Sequence, residues 1–365
     1  MIPIYKPYKL DHSIKYVNDA IRSTWISIRG KYIDDCIRQI KQITGRKYVL
    51  LTMCGTVALH CAVLTLKKIY PNITKIYVPN NIYVSLWNML LSEYDISMIE
   101  ALDCDIDTWN LDENIVLSLE KNSALFVVHN IAGIVNVEKM KQLRPDIIYF
   151  EDNCEGFLGE YNNKQTGSSS VAMTLSFNMN KAVTSGQGGA FITDSKKIYD
   201  YVCSISLNGS TGEKYKYKYR GANYRLTNLQ AAVLYSQLEL IDEIHQKKIV
   251  IYNYYKKNLV HPLIYTQKIN INTKSSYWYF ALGIRDSGGY NAIKNYMTQK
   301  NIEIRPMFYP INTHTHLKNI KYDSIKNAKI LNNEVFLIPY YPSITKEQQD
   351  YIISMILYFI NTKLT

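Results

Sequence analysis

Short, continuous apolar runs alternating with amphipathic helical stretches leave a chain few folds to choose from, and this one alternates from residue 47 to residue 193. Lys47-Tyr-Val-Leu-Leu-Thr52 precedes the helical pattern Thr56-Val-Ala-Leu-His-Cys-Ala-Val-Leu64, and Lys75-Ile-Tyr-Val-Pro79 precedes Val84-Ser-Leu-Trp-Asn-Met-Leu-Leu91. Further strand candidates are Ser97–Glu100, Ala124–His129, Ile147–Asp152, Met173–Phe177 and Gly189–Thr193. Strands buried on both faces read as unbroken apolar runs, and alternation with helices implies βαβ units around a mostly parallel sheet. From about Thr227 a long helical pattern runs towards Lys257, followed by the strand candidate Trp278–Ile284 and helices over Tyr290–Lys300 and from Lys346. The expected fold class is therefore α/β: a large domain over residues 1–245 with a mostly parallel sheet between helices, and a smaller α+β domain over 246–365.

A chain of 365 residues suits two such units, at roughly 150 residues per domain. Its 47% hydrophobic and 20% charged content supports a large packed core and argues against disorder. No flexible linker, repeat or low-complexity block interrupts it, so a domain boundary is expected to be packed. The balance of 42 Lys and Arg against 31 Asp and Glu gives +11, which favours anionic partners without identifying them. Part of that basicity, with the 32 tyrosines, is what an AT-rich coding sequence would write. The apolar run Tyr351–Ile360 is too short to span a bilayer, and no signal peptide is visible at Met1-Ile-Pro-Ile-Tyr-Lys-Pro7. Six cysteines show neither Cys-x-x-Cys pairs nor zinc spacing, so reduced thiols and no metal are expected. These features suggest a cytoplasmic protein with no membrane partner.

In open α/β sheets ligands sit at the carboxyl ends of strands, which directs attention to three segments. Gly55-Thr56 stands between a strand and a helix, where backbone N–H groups and a hydroxyl can hold an anion; the plain alternative is a helix cap. Asp152 ends a strand and can pair with a cationic ring nitrogen, or cap a helix. Lys181 follows Ser176-Phe-Asn-Met-Asn in a loop poor in charge beside Gly186-Gln-Gly-Gly189, unlike a solvated lysine cluster. Imine-forming lysines need partial desolvation to lose their proton near neutrality. An exposed loop lysine is the alternative. Phosphate-binding helix start, acid for a pyridinium nitrogen and nucleophilic lysine together are the parts that a pyridoxal phosphate (PLP) site requires.

Taken with Ile2–Pro7, Ser23–Ser27, Asp107–Asp112, His129, Glu151–Gly159 and Gly221-Ala-Asn-Tyr-Arg-Leu-Thr-Asn-Leu-Gln-Ala-Ala232, these motifs resemble the DegT/DnrJ/EryC1/StrS sugar aminotransferases along essentially the whole chain. The resemblance implies the type I fold of PLP-dependent aminotransferases. It implies that Lys181 bonds to PLP and then shuttles a proton, with pyridoxamine 5'-phosphate as the intermediate form. Asp152 is then the partner of the ring nitrogen, Glu155 lies near the ring and Tyr83 stacks on it. Gly55, Thr56 and Ser176 hold the phosphate, and Asn223 reaches it from the neighbouring subunit of a homodimer.

Three departures stand out: Ala132 followed by Gly133 replaces an earlier glycine after His129, Gln187 replaces a glutamate, and Asn312 replaces a histidine, with His314 and His316 nearby. The segments Arg305–Pro310 and Tyr277–Phe280 look most like members that aminate C4 of nucleotide-linked 4-keto-6-deoxyhexoses. Glutamate is the expected donor. The gluco product from dTDP- or UDP-4-keto-6-deoxyglucose (viosamine type) is ranked ahead of GDP-perosamine synthesis and of C3 amination. A lysine at 181 argues against the family's dehydratase branch. Two other classes compete: a nucleic-acid-binding surface on Lys214-Tyr-Lys-Tyr-Lys-Tyr-Arg220, and a catalytically silent regulator. Intact Lys181 and Asp152 weigh against the second, and a loop beside a diphosphate site accounts for the first, so no nucleic acid is expected.

Overall fold

A computed structural model describes residues 1–363 of the chain. Fifteen strands are numbered in chain order: β1 (Tyr48–Thr52), β2 (Lys75–Pro79), β3 (Ile99–Leu102), β4 (Ser123–Val128), β5 (Ile148–Asp152), β6 (Glu160–Tyr161), β7 (Lys164–Gln165), β8 (Ala172–Ser176), β9 (Gly189–Thr193), β10 (Ile264–Thr266), β11 (Thr273–Lys274), β12 (Ala281–Ile284), β13 (Arg305–Pro306), β14 (Lys321–Tyr322) and β15 (Val335–Leu337). An eight-stranded sheet runs β1-β9-β8-β5-β4-β2-β3-β14. Pairing is parallel from β8 through to β14, and β9 is antiparallel to both β8 and β1. The result is the α/β fold with a mostly parallel sheet that the apolar runs imply.

Every residue of β4 and β9 is buried, as a strand covered on both faces must be. Alternate side chains feed different cores. Phe126 and Phe150 stack at 5.1 Å and join Leu66, Leu86 and Trp87 on one face. Leu125, Val127 and Tyr149 join Met140 on the other face, while Met173 and Leu175 of β8 pack with Ile40 and Leu234.

A four-stranded antiparallel sheet, β10-β12-β15-β13, carries a separate core around Phe280, Phe336 and Ile356. Ile4 and Tyr5 belong to that core, with the Ile4 N–H donating to Glu303 Oε2 at 2.9 Å. In the opposite sense, β14 joins the large sheet beside β3. The two cores thus exchange chain segments, and position 245 lies inside the helix Ile241–Asn258.

Two expected elements differ. The helical pattern from Thr227 divides into Asn228–Leu238 and Ile241–Asn258. No glycine or proline marks the break, where Glu239 is held by Tyr16 and His12. The strand expected over Trp278–Ile284 begins at Ala281 because Trp278 is committed elsewhere: its carbonyl accepts from Lys248 and its indole N–H donates to Asn180 O. Among the described residues no helix is long and apolar enough to cross a membrane.

Register brings the site together. Thr52 of β1 and Ser176 of β8 both pair with Gly189 of β9, so the loops after β1 and β8 leave the sheet side by side. Asp152 of β5 pairs with Thr174 of β8 and Val128 of β4, which places the loops after β4 and β5 alongside.

Candidate active site

The helix Gly55–Ile69 starts directly after β1, and its N-cap residue Cys54 is extended (φ −164°, ψ 168°) with no side-chain cap. First-turn N–H groups, which have no partner within a helix, are left at its positive end, where they favour an anion. Glycine is required at 55: a Cβ there would lie 2.8 Å from the Ser176 Cβ and 3.0 Å from its Oγ. Thr56 Oγ1 lies 2.9 Å from Ser85 Oγ, so hydroxyls from two helix starts meet beside Ser176.

Asp152 Oδ1 accepts the Cys154 N–H at 3.0 Å and the Thr174 hydroxyl at 3.4 Å. The Cys154 thiol also hydrogen-bonds the Asp152 carboxylate. Turns rather than a helix follow at 154–158, which removes the alternative reading of Asp152 as a helix cap. Beneath it the His129 Nδ1 accepts the Val135 N–H at 3.1 Å, which leaves the ring proton on Nε2 to donate to Glu151 Oε2 at 3.0 Å. Burial disfavours the Glu151 carboxylate, but the bonds from His129 and the Gly167 N–H outweigh it and hold the carboxyl below its usual range.

Lys181 sits in the loop between β8 and β9 with its side chain 14% exposed. Its Nζ lies 3.7 Å from Glu155 Oε1 and 4.0 Å from the centroid of the Trp278 ring. Trp278 Nε1 donates to Asn180 O at 3.0 Å and the Tyr5 hydroxyl to Lys181 O at 3.2 Å, so residues remote in sequence clamp the loop. Glu155 is buried, and desolvation pushes its carboxyl up to about 7 although the Lys181 charge works against that shift.

These groups line one cavity of about 650 Å³. Gly55, Thr56, Tyr83, Asp152, Glu155, Ser176 and Lys181 all reach it. Tyr83 stands at the rim, 64% exposed, edge-on to Phe308 at 6.4 Å. Asn223 is not brought in: it is exposed, and its Oδ1 accepts from Arg225 Nε at 3.1 Å. Sequence reasoning did not single out Ser85 or Trp278 as cavity residues, and it left His314, which lines the cavity, unassigned. His316 points to Asn88 Oδ1 at 2.9 Å instead. The Lys214–Arg220 stretch is mostly exposed and lies off the cavity lining, with Lys216 paired to Glu213.

The residues present fit PLP. A helix start narrowed to glycine and ringed by hydroxyls suits its phosphate, a carboxylate at the end of β5 lining the cavity suits the protonated ring nitrogen, and a largely buried lysine suits its aldehyde carbon.

Comparison with known proteins agrees with this geometry. The chain is similar to GDP-perosamine synthase of Escherichia coli O157:H7, with 30% identity covering 99% of each protein. It is similar to GDP-perosamine synthase of Vibrio cholerae at 27% identity, covering 99% of this chain and 100% of that one. Its fold matches that of the Escherichia coli GDP-4-keto-6-deoxy-D-mannose-3-dehydratase solved with bound hydrated PLP, with a TM-score of 0.89 at 20% identity over 97% of this chain and 99% of that one. A sequence model of the DegT/DnrJ/EryC1/StrS aminotransferase family matches residues 8–357, and the chain belongs to that family of PLP-dependent sugar aminotransferases.

Proposed function

We propose that the protein moves an amino group from glutamate to C4 of GDP-4-keto-6-deoxymannose, giving GDP-perosamine. Sequence patterns alone rank the gluco product first. Similarity over the full length of two GDP-perosamine synthases supports the manno product more strongly, and the preference passes to it. The observation that carries the transaminase reading is Lys181 Nζ in the cavity, 3.7 Å from a carboxylate and 4.0 Å from an indole face.

In this reading Gly55, Thr56 and Ser176 would hold the cofactor phosphate, Asp152 its ring nitrogen and Tyr83 one face of its ring, with Glu155 beside it. When bound, PLP supplies an electron sink and a carrier for the amino group. Lys181 takes up and returns a proton at Nζ. The carboxylate of Asp152, with Oδ1 fixed by Cys154 N and Thr174 Oγ1, keeps a proton on its ring partner. Trp278 and Leu337, from the core around the four-stranded sheet, also line the cavity and would help to exclude water. The exposed position of Asn223 supports its serving the phosphate site of a second copy. Mixed Lys181→Ala and Asn223→Ala chains should then regain activity above the sum of the parents, because one site of the heterodimer carries neither lesion. No such gain despite subunit exchange would remove the shared-site assignment. We also read residues 1–245 and 246–365 as the large and small domains, joined through the helix Ile241–Asn258.

Incubation with PLP, glutamate and a panel of GDP-, dTDP- and UDP-4-keto-6-deoxyhexoses tests this. The expected product is the GDP-linked manno sugar with its amine on C4 by NMR. Turnover of only dTDP- or UDP-linked gluco substrates would restore the viosamine reading, and an amine on C3 would reject the regiochemistry.

A further inference from the structure

The turn after β4, where Ala132 and Gly133 depart from the family pattern, holds a strained residue next to the lysine. Ile131 has φ 61°, left-handed backbone that is an outlier for a β-branched side chain. Its side chain is buried, and its N–H donates to Glu155 Oε2 at 3.1 Å while Glu155 Oε1 faces Lys181 Nζ at 3.7 Å. Backbone in this state persists only where its surroundings over-determine it. Gln267, buried in the segment after β10, supplies that constraint. Its Oε1 accepts the Ala132 N–H at 3.0 Å, and its Nε2 donates to Thr108 O at 2.7 Å and Asn130 O at 2.9 Å. Gly133 admits the amide, since a Cβ there would stand 2.5 Å from Gln267 Nε2.

We propose that Gln267 is a positioning residue for the Glu155–Lys181 pair: by locking the turn in its left-handed form, it aims the Ile131 N–H at Glu155 and fixes that carboxylate towards Lys181. The role rests on the transaminase reading for its purpose but not for its test. Glu155 is faced by Lys181 from the loop after β8 and by Asp152 from the end of β5, with the Cys154 thiol adjacent in sequence. Burial raises its carboxyl, whereas Lys181 and the Ile131 N–H lower it. Losing the N–H bond therefore raises it further.

Gln267→Leu keeps the volume and removes both polar ends of the amide. In cofactor-free protein the carboxylic C=O stretch of Glu155, assigned by its loss in Glu155→Gln, can be followed against pH by infrared difference spectroscopy. Gln267→Leu should move the midpoint up by ~1 pH unit in a chain that still melts cooperatively. Adding Ile131→Gly should return it towards the starting value, because glycine takes a positive φ without the clamp. If Gln267→Leu does not fold, Gln267→Asn, one methylene too short to span the turn, decides by the same upward shift. An unmoved midpoint in the folded variant overturns the proposal. Because the reading uses neither cofactor nor substrate, its failure is separate from any failure of the transaminase assignment.

Discussion

Two lysines meet at one tryptophan, and their surroundings could hardly differ more. Lys181 lies over the Trp278 ring, faces Glu155 and lines the cavity. Lys248, on the helix Ile241–Asn258, is 2% exposed, donates to the Trp278 carbonyl at 2.8 Å and lies 5.0 Å from the centroid of the Tyr340 ring. Among the described residues no carboxylate forms an ion pair with it. Burial, helped by the Lys181 charge, pushes its ammonium down to about 7. An easily deprotonated lysine is thus not by itself a nucleophile. Lys248 supports the Trp278 side of the cavity without reaching it, whereas Lys181 lines the cavity and has a carboxylate partner in Glu155.

The largest way to break that comparison is Lys181→Ala. It should abolish transamination and the visible absorbance of the PLP-loaded protein; undiminished turnover would remove the functional reading. Asp152→Asn comes next. A neutral amide cannot hold the ring proton, so a loss on the order of 10²-fold in kcat is expected with some cofactor retained. Trp278→Leu removes both the indole over Lys181 and the bond to Asn180 O, and should lower kcat by roughly 10-fold with the loop loosened.

Lys248→Met has the smallest effect on turnover and the clearest effect on stability. The folded lysine titrates near 7 and the unfolded one at its ordinary value of 10.5, so between those values the unfolded chain binds more protons. This group therefore makes stability rise with pH across that window, by ~1 kcal/mol per pH unit. The variant should flatten the rise of Tm above pH 7 and be more stable than the parent near neutrality. Equal slopes in both proteins would mean that Lys248 is not a buried, unpaired cation.

The large sheet was legible because its strands are buried on both faces: Lys75–Pro79 and Gly189–Thr193 match the apolar runs residue for residue. What escaped were pairings that no local pattern encodes. The two residues of β14 reach the large sheet from the far side of the chain, and β9 reads like its parallel neighbours although it runs against them. The cavity floor followed from the strand-end rule, which led to Gly55, Asp152, Ser176 and Lys181. The residues that brace it from the rest of the chain did not. Trp278 sits in an apolar run that reads as strand, Lys248 within a long helical pattern, and Gln267 between strand candidates; each acquires its role through contacts distant in sequence, Trp278 with Asn180, Lys248 with Trp278 and Tyr340, and Gln267 with Ala132.

The central claim is that Lys181, not its neighbour across Trp278, is the amine that engages the cofactor. Loading the protein with PLP, reducing it with borohydride to make any lysine–cofactor link permanent, and mapping the added mass on proteolytic peptides measures this directly. The label should fall on Lys181 alone and be absent from Lys181→Ala. Labelling of Lys248, or stoichiometric labelling that survives Lys181→Ala, would contradict the account.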